Sequence, residues 1–163
     1  FADNAFDVVF AASSLQFAGD PLAALSEFGR VCVAGGRIVV GLFGPPQNVA
    51  SAKVMKAVGD LMPAPPPGPG PFALSAPGKL EGLIAEAGFT VLESSEVNCP
   101  FSYADFDTCW RALSSAGPFQ GAVRTLGESR AKSAMRSAVE PYQHADGSIV
   151  IQPNVVKYVV AAR

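Results

Sequence analysis

Two short apolar runs, Phe6-Asp7-Val8-Val9-Phe10-Ala11 and Ile38-Val39-Val40 with Leu42 and Phe43 beyond Gly41, bracket a stretch where apolar residues recur at helical spacing. Runs with so little polar interruption predict strands covered on both faces. Between them Leu22, Leu25, Phe28 and Val31 predict a helix with one apolar side. Asp20 stands where a side chain can accept from the free N–H groups of the first turn, and Pro21 where a missing N–H costs nothing. Gly35-Gly36 is expected to end this helix, because glycine takes the left-handed backbone that helix exits use. Cys32 then falls on the helix, facing the core. Strand, crossover helix and strand make a parallel pair with a right-handed crossover. Small ligands of such sheets bind beyond the carboxyl ends of the strands, which places the candidate chemistry in the loop Ala12-Ser13-Ser14-Leu15-Gln16-Phe17.

Downstream, Gly44-Pro45-Pro46 breaks the second strand and a helix is predicted from about Val49 to Met62, closed by Pro63. Pro63 to Pro71 holds too much proline and glycine to pack as an element and reads as an extended loop. Leu80, Leu83, Ile84 and Ala87 predict an amphipathic helix over Ala76 to Ala87, ended by Gly88. Phe89 to Val97 follows as a strand whose Glu93, Ser94, Ser95 and Glu96 imply an edge or near-edge position. Ser102-Tyr-Ala-Asp105 resembles a capping box opening a helix that carries Tyr103, Phe106, Trp110 and Leu113 on one side, up to Gly117-Pro118. A further helix is expected from about Gly121 to Glu140, with Arg124 and Glu128 spaced for an ion pair. Ser148 to Ile151 and Val155 to Ala161, joined through Pro153-Asn154, are expected to complete the sheet as short β segments.

With 163 residues, 49% of them hydrophobic, the chain can bury a core. A net charge of -2 gives no electrostatic reason to expect nucleic acid as a partner. No run of about 18 apolar residues is present, so no membrane-spanning segment is expected. Cys32, Cys99 and Cys109 share no metal-type spacing and read as reduced thiols of a cytoplasmic protein. No metal site is expected.

The opening stretch also resembles a known family. Asp3, Phe6, Asp7, Asp20, Pro21, Arg30, Val31, Gly35, Gly36 and Arg37 are similar, in order and spacing, to the second half of class I S-adenosylmethionine-dependent methyltransferases, in the branch of small-molecule and quinone C-methyltransferases. Cys32-Val33-Ala34 departs from that family's usual phrase before the double glycine. The resemblance implies an α/β fold: the C-terminal half of a Rossmann-like sheet, with parallel strands, a final antiparallel strand and a helical insertion over residues 102–141 that covers the substrate. It implies that the family's principal cofactor-binding strands lie upstream of Phe1, so that the chain is expected to be a fragment, inactive alone, of a partial domain spanning residues 1–163.

The same resemblance implies S-adenosyl-L-methionine as cofactor, held by Ala11, Ala12, Ser13 and Gln16, with Phe17, Tyr103 and Trp110 lining the place of a small-molecule acceptor. Ala and Ser are also ordinary turn residues, Phe17 equally fits a core position, and Tyr103, Phe106 and Trp110 equally form a packing stripe. Methyl transfer needs alignment of the acceptor more than a dedicated base, so no catalytic residue is assigned. His144 reads as a solvated turn residue, and Arg124, Arg130, Lys132 and Arg136 as a solvated helix face. Two other readings stand beside the enzyme. One is a truncated or degenerate domain with a structural or association role. The other is a nicotinamide-dependent Rossmann enzyme, which would need a glycine turn that is not in view. With its neighbouring strand missing, Phe6 to Ala11 is expected to be an open edge through which the chain self-associates.

Overall fold

The structure, a computed structural model, describes residues 1–64 and 68–163, so part of the expected proline-rich loop, residues 65–67, lies outside the described residues. The chain divides into two compact units. The first comprises Phe1–Pro46, Gly68–Val97 and Val155–Arg163, and the second Gln47–Pro67 and Asn98–Asn154.

In the first unit, β1 (Phe6–Ala12) and β2 (Cys32–Phe43) are parallel, as the crossover reading requires, and α1 (Pro21–Val31) joins them. Asp20 caps α1, accepting a hydrogen bond from the Ala23 N–H at 2.9 Å, with Pro21 in the first turn. The chain continues through α3 (Lys79–Glu86) and β3 (Thr90–Asn98) to β6 (Val155–Ala162). The four strands lie in the order β1-β2-β6-β3, with β6 antiparallel to β2. Thus β3 occupies one edge of the sheet, where its polar residues suggested, and β1 the other.

The double glycine does something other than end α1. The helix stops at Val31 and Cys32, fully buried, is already the first residue of β2. Gly35, at φ 74°, lies in an irregularity where Phe6 pairs with Cys32 but Val8 with Arg37, so four residues of β2 are accommodated between successive pairings. A Cβ on Gly36 would stand 2.6 Å from Cys32 Sγ and 2.8 Å from the Asp7 carbonyl oxygen, so this position needs glycine for close approach. The expectation of strands covered on both faces is also corrected. Ile38, Val40, Leu42, Val159 and Ala161 are fully buried together with Leu25 of α1 and Leu80 and Ile84 of α3. On the opposite face Val8 and Phe10 are 55% and 69% exposed. Apolar runs identify strand residues that tolerate burial, but what covers each face is a tertiary matter.

The second unit has α2 (Ala50–Gly59), β4 (Phe101–Tyr103), α4 (Phe106–Ser114), α5 (Gly117–Leu126), α6 (Glu128–Val139) and β5 (Ile149–Ile151). Its core joins Val54, Val58, Cys109, Met135, Ile149 and Ile151. Several expectations change here. Asp105, not Ser102, caps α4, accepting from the Thr108 N–H at 2.7 Å; Ser102 and Tyr103 lie on β4. Gly117-Pro118 opens α5 instead of closing α4. The long helix expected from Gly121 to Glu140 is two, because Gly127 takes φ 81° and ψ 152°, which no helix continues through. Arg124 and Glu128 therefore sit on different helices. Finally, β5 pairs with β4 in a separate two-stranded sheet, and only β6 of the two terminal β segments joins the main one.

Candidate active site

At the carboxyl end of β1 the chain leaves the sheet abruptly. Ala11 is buried and Ala12, paired with Gly41, is exposed. Ser13 then takes φ 48°, a left-handed conformation uncommon for a residue with a Cβ, while its N–H still donates to the Gly41 carbonyl at 2.7 Å. Backbone conformations of this kind cost about 1–3 kcal/mol and concentrate at functional loops. The turn throws the chain into a single 3-10 turn, Leu15–Phe17, closed by the Phe17 and Ala18 N–H groups donating to Ser14 and Leu15 carbonyls.

The three residues of that turn have different fates. Leu15 is buried in the apolar core of the first unit and Phe17 is half exposed, at 49%. Gln16 is 1% exposed, and its Oε1 finds no hydrogen-bond partner among the described residues. A buried acceptor left unpaired costs about 1–3 kcal/mol. Neither the Ser13 conformation nor the orphaned oxygen was visible in the sequence, where Ser-Ser-Leu-Gln reads only as a loop.

Because β1 and β2 are parallel, the carboxyl end of β2 stands on the same side. There the Phe43 and Phe72 rings lie 5.7 Å apart between centroids, tilted by 32°. Phe72 follows the proline-rich stretch, and Ser75, buried, ties that loop back by donating from Oγ to the Phe72 carbonyl at 2.8 Å. This aromatic pair was missed because Phe72 stands alone in a proline-rich context with no periodicity around it. Deeper in the same unit, Lys157 on β6 meets Glu81 on α3 at 2.6 Å, and Ser94 donates to the same Glu81 oxygen at 2.7 Å. Burial pushes the Glu81 carboxyl up, but the bonds from Lys157 and Ser94 outweigh it and hold the group below the usual carboxylate range.

The remaining expected site residues belong to the second unit. Tyr103 lies on β4 with its hydroxyl pushed up chiefly by burial, with a smaller push from Cys109, whereas Trp110 is buried in the core of that unit. The aromatic stripe is therefore not one helix face. Burial pushes the Cys109 thiol up to about 11, so it stays protonated at neutral pH and is not a nucleophile. His144 is exposed in a turn closed by its N–H donating to the Ser148 carbonyl at 2.8 Å. The basic helix face is partly engaged: Lys132 pairs with Asp107 at 2.8 Å and the Arg136 guanidinium lies 3.8 Å from the Phe106 ring centroid.

Comparison with known proteins bears on the same end of the chain. Residues 1–40, which include β1, the loop and α1, match the family model of a methyltransferase domain. The whole fold is similar to that of a candidate methyltransferase from Bacillus halodurans C-125, with a TM-score of 0.54 at 14% identity over 99% of this chain and 66% of that one. It is equally similar to the YcgJ protein from Bacillus subtilis, with a TM-score of 0.54 at 13% identity over 100% of this chain and 66% of that one. The [4+2]-cyclase SpnF shares it too, with a TM-score of 0.51 at 18% identity over 100% of this chain and 52% of that one. The chain thus spans 66% or less of the length of these structures. No curated protein matches the sequence at a significant level. The architecture is a methyltransferase-type α/β fold with a mixed sheet, and among the described residues no helix is long and apolar enough to cross a membrane.

Proposed function

We propose that the chain is the downstream part of an S-adenosylmethionine-dependent methyltransferase acting on a small molecule. A shared fold does not choose the chemistry, as the cyclase among the similar structures illustrates. What favours methyl transfer is the coincidence of the family match over residues 1–40 with the loop that carries the left-handed Ser13 and the unpaired Gln16 oxygen.

The residues present fit such a cofactor. Ala11, Ala12 and Ser13 have small side chains that permit close backbone approach, and Gln16 places a buried, unpaired amide oxygen in the same loop. When bound, S-adenosylmethionine supplies a methyl group already activated on a sulfonium. Phe17 offers a half-exposed apolar surface to the acceptor, as the Phe43–Phe72 pair does at the end of β2. Alignment of this kind can contribute roughly 7–11 kcal/mol in well-oriented systems, without a dedicated base.

Calorimetric titration with S-adenosylhomocysteine tests this reading. We expect micromolar affinity in the intact protein that contains this chain and an approximately tenfold loss in its Gln16→Leu variant, equal to about 1.4 kcal/mol. The same substitution is expected to raise the melting temperature, because it removes the unpaired acceptor. Absence of binding by the intact protein would favour the second reading, a methyltransferase-like domain that serves association and not catalysis.

A further inference from the structure

The loop that leads into α3 is folded into a run of tight turns. Ala73 N–H donates to the Gly70 carbonyl, Ser75 N–H to the Phe72 carbonyl and Lys79 N–H to the Ala76 carbonyl. Lys79 Nζ also reaches back to the Ala73 carbonyl, at 2.8 Å. Leu74, 3% exposed, is buried in the same core as Leu80 and Ile84. Phe72 lies two residues before this anchor, with its carbonyl tied to Ser75, so its ring is held against Phe43 instead of swinging freely. A loop already rigid before a ligand arrives loses little freedom on binding it.

Charge is missing from the same end of the sheet. No Asp, Glu, Lys, Arg or His occurs in Ala12–Gly19 after β1, in Gly44–Pro46 after β2 or in Gly68–Gly78 before α3. The charged groups that border these loops are engaged within the first unit: Asp20 caps α1, Lys79 bonds the Ala73 carbonyl and Glu81 meets Lys157. A charged group pressed against such a wall would give up water with no counter-charge to receive it, whereas a flat apolar group gains from burial and from aromatic contact. The Phe43 and Phe72 centroids are 5.7 Å apart. That leaves no room between the rings for a cation, so the pair forms one continuous apolar surface and not a cage.

We infer that Phe72, presented by the anchored loop and packed on Phe43, determines acceptor specificity by selecting flat, uncharged molecules over charged ones. The inference rests on the proposed methyl transfer for the role of the ligand, and narrows that acceptor from any small molecule to a neutral, planar one.

Equilibrium dialysis of the intact protein that contains this chain, near neutral pH, tests it with three probes substituted at the same ring carbon: neutral naphthol, anionic naphthoate and cationic naphthylmethylammonium. Each is measured with and without saturating S-adenosylhomocysteine, whose own affinity is read in parallel. We expect naphthol to bind at least about tenfold more tightly than either charged probe. Phe72→Ala should weaken naphthol about tenfold and Phe72→Tyr should keep it, with the affinity for S-adenosylhomocysteine and the far-ultraviolet spectrum unchanged in both. Phe72→Lys should turn the preference toward naphthoate. The inference is overturned if none of the three probes binds, if a charged probe binds as tightly as naphthol, or if naphthol affinity is indifferent to Phe72→Ala. A Phe72-dependent preference for naphthol in a protein that does not bind S-adenosylhomocysteine would instead uphold the selective surface and strike the methyl transfer.

Discussion

On one face of the four-stranded sheet Ile38, Val40, Leu42, Val159 and Ala161 are fully buried with side chains of α1 and α3, whereas on the other Val8 and Phe10 stand largely in water. The residue types are the same, and β1 and β2 alternate between the two faces along their length. The difference teaches that an apolar run specifies a strand but not its cover. On the covered face the sheet acquires a core; on the other it retains apolar surface that gains from a partner.

The largest effect expected from this contrast is on the covered face. Ile38→Ala should destabilise the chain by about 2–5 kcal/mol, since the cavity it leaves is enclosed by α1 and the neighbouring strands. Chemical denaturation at a single protein concentration measures it. A loss below about 1 kcal/mol would mean that this face is not packed as described. A buried charge of that face gives the next test. Lys157→Met should cost about 1–3 kcal/mol near neutral pH, because Glu81 loses its cation while one of its oxygens, Oε2, is already buried without a partner.

The pH dependence of that cost has a definite sign. The Glu81 carboxyl is held below its ordinary value in the folded chain, so its contribution is present above the ordinary carboxylate range and is lost as pH falls through the lowered folded value. The gap between wild type and Lys157→Met should therefore narrow on acidification, and a gap that widens would exclude this account. The smallest effect is predicted on the open face. Phe10→Thr should change stability by less than about 0.5 kcal/mol, a fraction of the cost at Ile38 despite the larger side chain removed. A loss comparable to that of Ile38→Ala would show that the two faces are equally covered and would break the comparison.

Much of the first unit was legible because local signals there agree with one another. Asp20-Pro21, the three-residue spacing from Leu22 to Val31 and the two flanking apolar runs all call for the same parallel pair, and the Asp20 cap forms as expected. Gly88, at φ 89°, ends α3 for the reason its position suggested. Glycine misled elsewhere, because the residue permits several outcomes: Gly35-Gly36 made a strand irregularity and Gly127 a break within what periodicity joined into one helix. In the second unit Ser102 and Asp105 both offered a capping side chain, and only the pairing of β4 with β5 decides that Ser102 is spent on a strand. The candidate site was legible as a place and not as chemistry. The loop after β1 follows from topology, whereas the Ser13 conformation and the unpaired Gln16 oxygen depend on how the turn is packed.

By itself the sequence determined which segments become strands and helices in the first unit, and that β1 and β2 run parallel, because backbone preferences and apolar spacing act within a few residues of one another. Tertiary structure alone decided that β6 and not β5 lies beside β2, that Lys157 meets Glu81, and which sheet face is covered. Those outcomes depend on pairings between residues far apart in the chain, whose free energy comes from burial and desolvation that no local pattern records.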